Sequence, residues 1–139
     1  MKRFLSVSIM SLCLLGLGAS APAQEKKDLG RALVALYHVA PGKHLDFLKW
    51  MAAQEEAAKE AGVAATQWYA HTDGDSWDYM AIGPVPTRDQ EKKVDEAARK
   101  KGLTVGFAAS LEFRQFVTSH TDTFVLGPTS AADLVSRAR

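Results

Sequence analysis

Residues 31–39 read Arg31-Ala32-Leu33-Val34-Ala35-Leu36-Tyr37-His38-Val39, an almost unbroken apolar run between Gly30 and the Pro41-Gly42 turn. Nine residues rich in Val, Leu and Tyr make a strand, and the lack of polar alternation predicts one buried on both faces. Such a strand is central to a sheet, so the rest of the fold must be built around it. The following segment, residues 44–61, is the clearest helix. Leu45, Leu48 and Ala52 fall on one stripe with Phe47 and Met51 beside it, Glu55 and Lys59 stand four apart as an ion pair, and Gly62 suits the stop.

Residues 65–71 and 76–83 flank Thr72-Asp73-Gly74-Asp75, and Asp-Gly between two β-rich runs signals a hairpin. Closing it at Asp73-Gly74 sets Ala70 opposite Trp77, Trp68 opposite Tyr79, and Thr66 opposite Ala81, all on one side. The other side pairs Gln67 with Met80, Tyr69 with Asp78, and His71 with Ser76. The first side is bulky and aromatic. Helix residues Ala52, Ala53, Ala57, Ala58, Ala61, Ala97 and Ala98 are small enough to receive it, which assigns Trp68, Trp77 and Tyr79 to the core. Tyr69, Asp78, Met80 and His71 then look toward the second face.

Thr87 with Gln90 three residues on is a capping box that opens a helix to about Lys101, stopped by Gly102. Residues 107–119 predict a shorter helix, residues 121–126 a last strand, and Ser130 with Asp133 a cap for a small terminal helix. The order is β-α-β-β-α-(α)-β: an α+β, ferredoxin-like split βαβ with an antiparallel sheet and its helices on one face. The second face then needs a cover, and a second subunit is the expected one.

The amino terminus stands apart from this pattern. Lys2 and Arg3 precede an apolar stretch over residues 4–18, and Ala19-Ser20-Ala21-Pro22-Ala23 offers small-residue cleavage sites. The run is shorter than the roughly 20 residues of a spanning helix. Residues 1–23 therefore read as a signal peptide cut after Ala23, 24–29 as a leader, 30–127 as the domain, and 128–139 as a tail with a short helix. The expected location is periplasmic or secreted, with no membrane attachment after cleavage. Losing 23 of 139 residues leaves 116, without the single Cys13 and with 15 basic against 16 acidic residues. A near-neutral balance does not suggest a nucleic-acid binder, and a chain without cysteine takes nothing from disulfides.

The segment Tyr37-His38-Val39-Ala40-Pro41-Gly42-Lys43, followed by Asp46-Phe47-Leu48, resembles the start of many dimeric α/β barrel domains. NIPSNAP-like proteins and the antibiotic-biosynthesis-monooxygenase group are the nearest comparisons, over about residues 30–127. The resemblance implies a ferredoxin-like monomer that pairs through its sheet into a homodimeric barrel, often with a ligand cavity between sheet and helices. Its members include cofactor-independent oxygenases, haem-handling enzymes, isomerases and proteins without known activity. Activity does not transfer with a fold.

Four histidines without HxH or HExxH spacing argue against a metal site, and no nucleotide or nucleophile-elbow fingerprint is present, so no cofactor is expected. His38, on the central strand, is a candidate general base or axial ligand, against a hydrogen-bonded histidine near a strand end. Asp78 is a second candidate base, facing Tyr69, which with Met80 and His71 could line a ligand site. The plain alternative for Tyr69 and Asp78 is a cross-strand bond that sets register. His71 reads as solvated beside its turn, His44 as exposed, and His120 as a turn or capping residue. Three functions follow: a binder of a small, partly apolar ligand, a cofactor-independent monooxygenase or isomerase, or a non-catalytic interaction module of the cell envelope.

Overall fold

The computed structural model describes residues 29–138; the expected signal, residues 24–28 of the leader and Arg139 lie outside them. The elements are β1 (Arg31–Val39), α1 (His44–Glu60), β2 (Gln67–Ala70), β3 (Tyr79–Pro84), α2 (Arg88–Lys100), α3 (Gly106–Phe113), β4 (Val117–Leu126) and α4 (Ala131–Arg137). The four strands form one sheet in the order β2-β3-β1-β4. Every neighbouring pair is antiparallel. This is the ferredoxin-like α+β arrangement, with β1 central as its composition required.

Alternation along β1 divides the molecule. Ala35, Tyr37 and Val39 are buried on the helix side, with Phe47 of α1 fully enclosed above them. Val34, Leu36 and His38 alternate with them and are half-buried on the other side. The expectation of burial on both faces therefore holds for one face of a single chain. Among the described residues no helix packs over the second face in bulk, because α1 and α2 share the first. Where the two helices meet, Ala57, Ala97 and Ala98 form a second buried cluster with Leu103 and Val105. Methyl-sized side chains permit that close approach.

The helix ends follow local rules. Thr87 and Gln90 make the expected capping box at α2, and Ser130 with Asp133 makes one at α4. Gly62 and Gly102 end α1 and α2 at φ of 77° and 75°, a backbone region that costs glycine nothing.

Three expectations are corrected. In the hairpin, Trp68 opposes Ala81, Tyr69 opposes Met80 and Ala70 opposes Tyr79, two residues away from the tight Asp-Gly closure. An even shift keeps each side chain on its face, so Trp68 and Tyr79 still meet the helices. Trp77 does not: it sits in the connecting loop, edge-on to His71 at 4.9 Å. The cause is the partnership with β1. Asp78 N–H donates to the Tyr37 carbonyl at 2.8 Å, and the Asp78 carboxylate accepts from Val39 N–H at 2.6 Å. Both bonds hold the start of β3 against the end of β1 and stretch the turn into a loop.

The second correction concerns residues 107–119. α3 ends at Phe113, and β4 begins at Val117, because a nine-residue β1 needs a partner along its whole length. His120 is thereby a strand residue opposite Tyr37, and not a turn or cap. The third concerns Glu55, which is not paired with Lys59. Lys59 lies 3.8 Å from Glu56 on the solvent side, and Glu55 turns inward.

Phe47→Ala is expected to lower unfolding free energy by about 3–5 kcal/mol, a truncation at the best-packed position. Phe107→Ala, at a side chain 79% exposed, should change it by under about 0.5 kcal/mol. Urea unfolding of both variants checks the contrast.

Candidate functional site

Small residues on facing surfaces leave room between α1 and the sheet. Ala35 of β1, and Ala81 and Gly83 of β3, form the floor, and Ala58 of α1 stands above them. Thr66 leans so close that a Cβ on Gly83 would lie 2.9 Å from its hydroxyl, so glycine is required there. The resulting cleft has a volume of about 270 Å³ and apolar walls that include Leu33, Met51 and Val94. It continues past Glu55, Ala58 and Thr66 into an outer part of about 460 Å³ bordered by Val63, Pro84 and Pro86.

Besides Thr66, the polar side chains lining the 270 Å³ cleft are Tyr37, Gln54, Glu55 and Trp68. Trp68 Nε1 donates to Glu55 Oε1 at 2.5 Å, bridging β2 and α1. The Trp68 ring stacks on Tyr37 with centroids 5.6 Å apart and planes 18° from parallel. Gln54, one residue before Glu55, has a shielded Nε2 with no hydrogen-bond partner among the described residues. The Tyr37 hydroxyl is pushed up to about 12 by burial first, then by the nearby charges of Asp122 and Glu55. At neutral pH it is a firm hydrogen-bond donor.

The residues expected from sequence lie elsewhere. Tyr69, Met80 and Leu36 follow one another across β2, β3 and β1 on the face away from the helices. His38 stands on that same face two residues along β1, opposite Ser119. The Tyr69 hydroxyl donates to Gln67 at 3.2 Å, so the imagined Tyr69–Asp78 pair is not formed. Asp78 is engaged by Val39 N–H. His71, expected to be solvated, is half-buried: its N–H donates to the Asp78 carbonyl at 2.9 Å, and its Nε2 is shielded without a partner. None of these five residues borders the cleft. His44, exposed as expected, lies 3.4 Å from the Tyr79 hydroxyl, and His120 lies 3.5 Å from Asp122.

Sequence reasoning missed Gln54 and Glu55 as site residues. A signal existed: Glu55 falls on the stripe of Met51 and Ala58, at i+4 and i+7, which is the inward one. An acidic residue there is unusual on a core-facing helix. Among the described residues, no group of three or more His, Cys, Asp or Glu could hold a metal ion.

No protein-family model matches the sequence, and neither does any curated protein. Solved structures do resemble it. One is SnoaB, a cofactor-independent oxygenase from Streptomyces nogalater, 14% identical, covering 73% of this chain and 95% of that one with a TM-score of 0.49. Another is a NIPSNAP family protein from Agrobacterium tumefaciens, also 14% identical, covering 73% and 94% with a TM-score of 0.48. A dimeric ferredoxin-like protein of unknown function from Thermobifida fusca is 11% identical, covering 73% and 93% with a TM-score of 0.47. NIPSNAP proteins, one of the two groups suggested by the Pro-Gly-Lys segment, are thus among the similar structures. The class itself, a ferredoxin-like α+β domain, rests on strand order and register.

Tyr37 gives a pH prediction. Its proton is held more tightly in the folded chain than in the unfolded one, so the native state binds more protons between pH 10 and about 12. Stability is therefore full below pH 10 and falls as pH rises toward 12, by about 2 kcal/mol in all. Tyr37→Phe should remove that slope in urea unfolding followed across the range.

Proposed function

We propose that this chain is an exported homodimeric protein that binds a small, partly apolar molecule in the cleft between α1 and the sheet. The observation that carries it is a cleft floored by small residues that combines apolar walls with the Glu55 carboxylate and the Tyr37 and Trp68 side chains. A void left by poor packing would be lined by carbon alone. Ligand sites instead combine apolar walls with a few convergent polar groups.

Cleft filling tests this. Wild type should bind the neutral dye N-phenyl-1-naphthylamine with a rise in its fluorescence. Ala58→Phe, which puts a ring into the space, should abolish that rise and keep or raise the melting temperature. Equal binding by both proteins would refute the cleft as the site.

The homodimer is supported by the second sheet face. Val34, Leu36, Met80 and Ile82 present an apolar strip that no helix among the described residues packs over in bulk, and sizeable apolar strips mark interaction sites. In that arrangement His38, Tyr69 and Met80 belong to the subunit interface. Export is supported by the basic, apolar and small-residue order of residues 2–23. Native mass spectrometry of protein expressed with its own amino terminus reads both: the expected species is a dimer of chains beginning at Gln24. Leu36→Glu should leave monomers, and a wild-type monomer or an uncut chain would overturn the corresponding half.

A further inference from the structure

The charge inside the cleft narrows its ligand. Glu55 is half-buried, and its hydrogen-bond partner is neutral, the indole N–H of Trp68 at 2.5 Å. Among the described residues no Lys, Arg or His forms an ion pair with it. Lys59 borders the outer cleft but is engaged with Glu56. A carboxylate drawn from water and given one neutral donor is a negative charge still short of compensation. The rings of Tyr37 and Trp68, stacked on each other, line the same cleft. Tyr37 senses the sign of this field, since Asp122 and Glu55 both reinforce burial in holding its proton.

We infer that the cleft selects an organic cation, an ammonium group on an apolar body, with the ammonium against Glu55 and the apolar part along Leu33, Met51 and Val94. The inference rests on the cleft being a ligand site. Cations gain both from a carboxylate and from aromatic rings, most from Trp. Carboxylate and phosphate ligands meet repulsion from Glu55 and Glu56.

Displacement of N-phenyl-1-naphthylamine by three near-isosteres separates the two levels of the argument. The probes are 3-phenylpropylamine, 3-phenylpropan-1-ol and 3-phenylpropionate at pH 7. The amine should displace the dye at ~10-fold lower concentration than the alcohol, with the propionate weakest. Glu55→Gln keeps an acceptor for Trp68 and should bring amine and alcohol to equal strength. An amine no stronger than the alcohol in wild type, or a preference that survives Glu55→Gln, would overturn the cation inference while the cleft remains a binding site. Failure of the dye itself to bind would overturn both.

Discussion

Phe47 is fully enclosed, and its ring meets Tyr37, Trp68, Tyr79 and Phe113 at centroid distances between 5.1 and 6.4 Å. Those partners come from β1, β2, β3 and α3, so one side chain on α1 ties the helix to three strands and to α3. Rings at such separations, tilted or offset, gain somewhat beyond the area they bury. The rest of the helix side depends on this anchor. With α1 fixed at its amino-terminal third, the small residues further along it, Ala57 and Ala58, lie at set heights over α2 and over the sheet. Ala57 allows helix contact, and Ala58 leaves the cleft. The same helix is therefore tightly packed at one end and open at the other.

Much of this was readable from residue pattern. The apolar run at 31–39 gave a central strand, Phe47 and Met51 marked the inward side of the next helix, and Thr87 with Gln90 marked a helix start. What failed did so for identifiable physical reasons. Side-chain alternation fixes which face a residue takes but is blind to a slip of two, so the hairpin faces were legible and its register was not. The register is decided by Asp78, whose backbone and carboxylate bond to β1, a contact 39 residues away in sequence. Trp77 fell out of the core for that reason alone. Residues 117–119 follow the apolar positions Leu111, Phe113 and Phe116 closely enough to read as a continuation of that helix, and only the length of β1 claims them as strand.

The site was less legible than the fold. Glu55 at four residues from Lys59 matches a surface ion pair, and the inward stripe that contradicts it becomes decisive only when Trp68 is seen to reach across. Candidate histidines drew attention because their chemistry is versatile, yet His38 stands on the face away from the helices. Here the polar groups with open valences belong to an amide and a carboxylate on a helix, residue types that sequence reasoning ordinarily leaves to solvent.

The pairing of β1 with β4 shifts between His38 and Val39, where Ser119 and then Val117 are the partners and Thr118 is skipped. Thr118 uses its freedom to donate its hydroxyl to the His38 carbonyl at 3.1 Å. The skip brings Val117, and not a hydroxyl, against the core beside Phe116. Chain length is thus pinned at this point: removing one residue between Phe113 and Ser119 would carry either Thr118 inward or the whole of β4 onto its opposite face. The five exposed residues from Thr72 to Ser76 face no such constraint. Over the history of the sequence, insertions and deletions would be absorbed at that exposed loop and excluded from the join between α3 and β4.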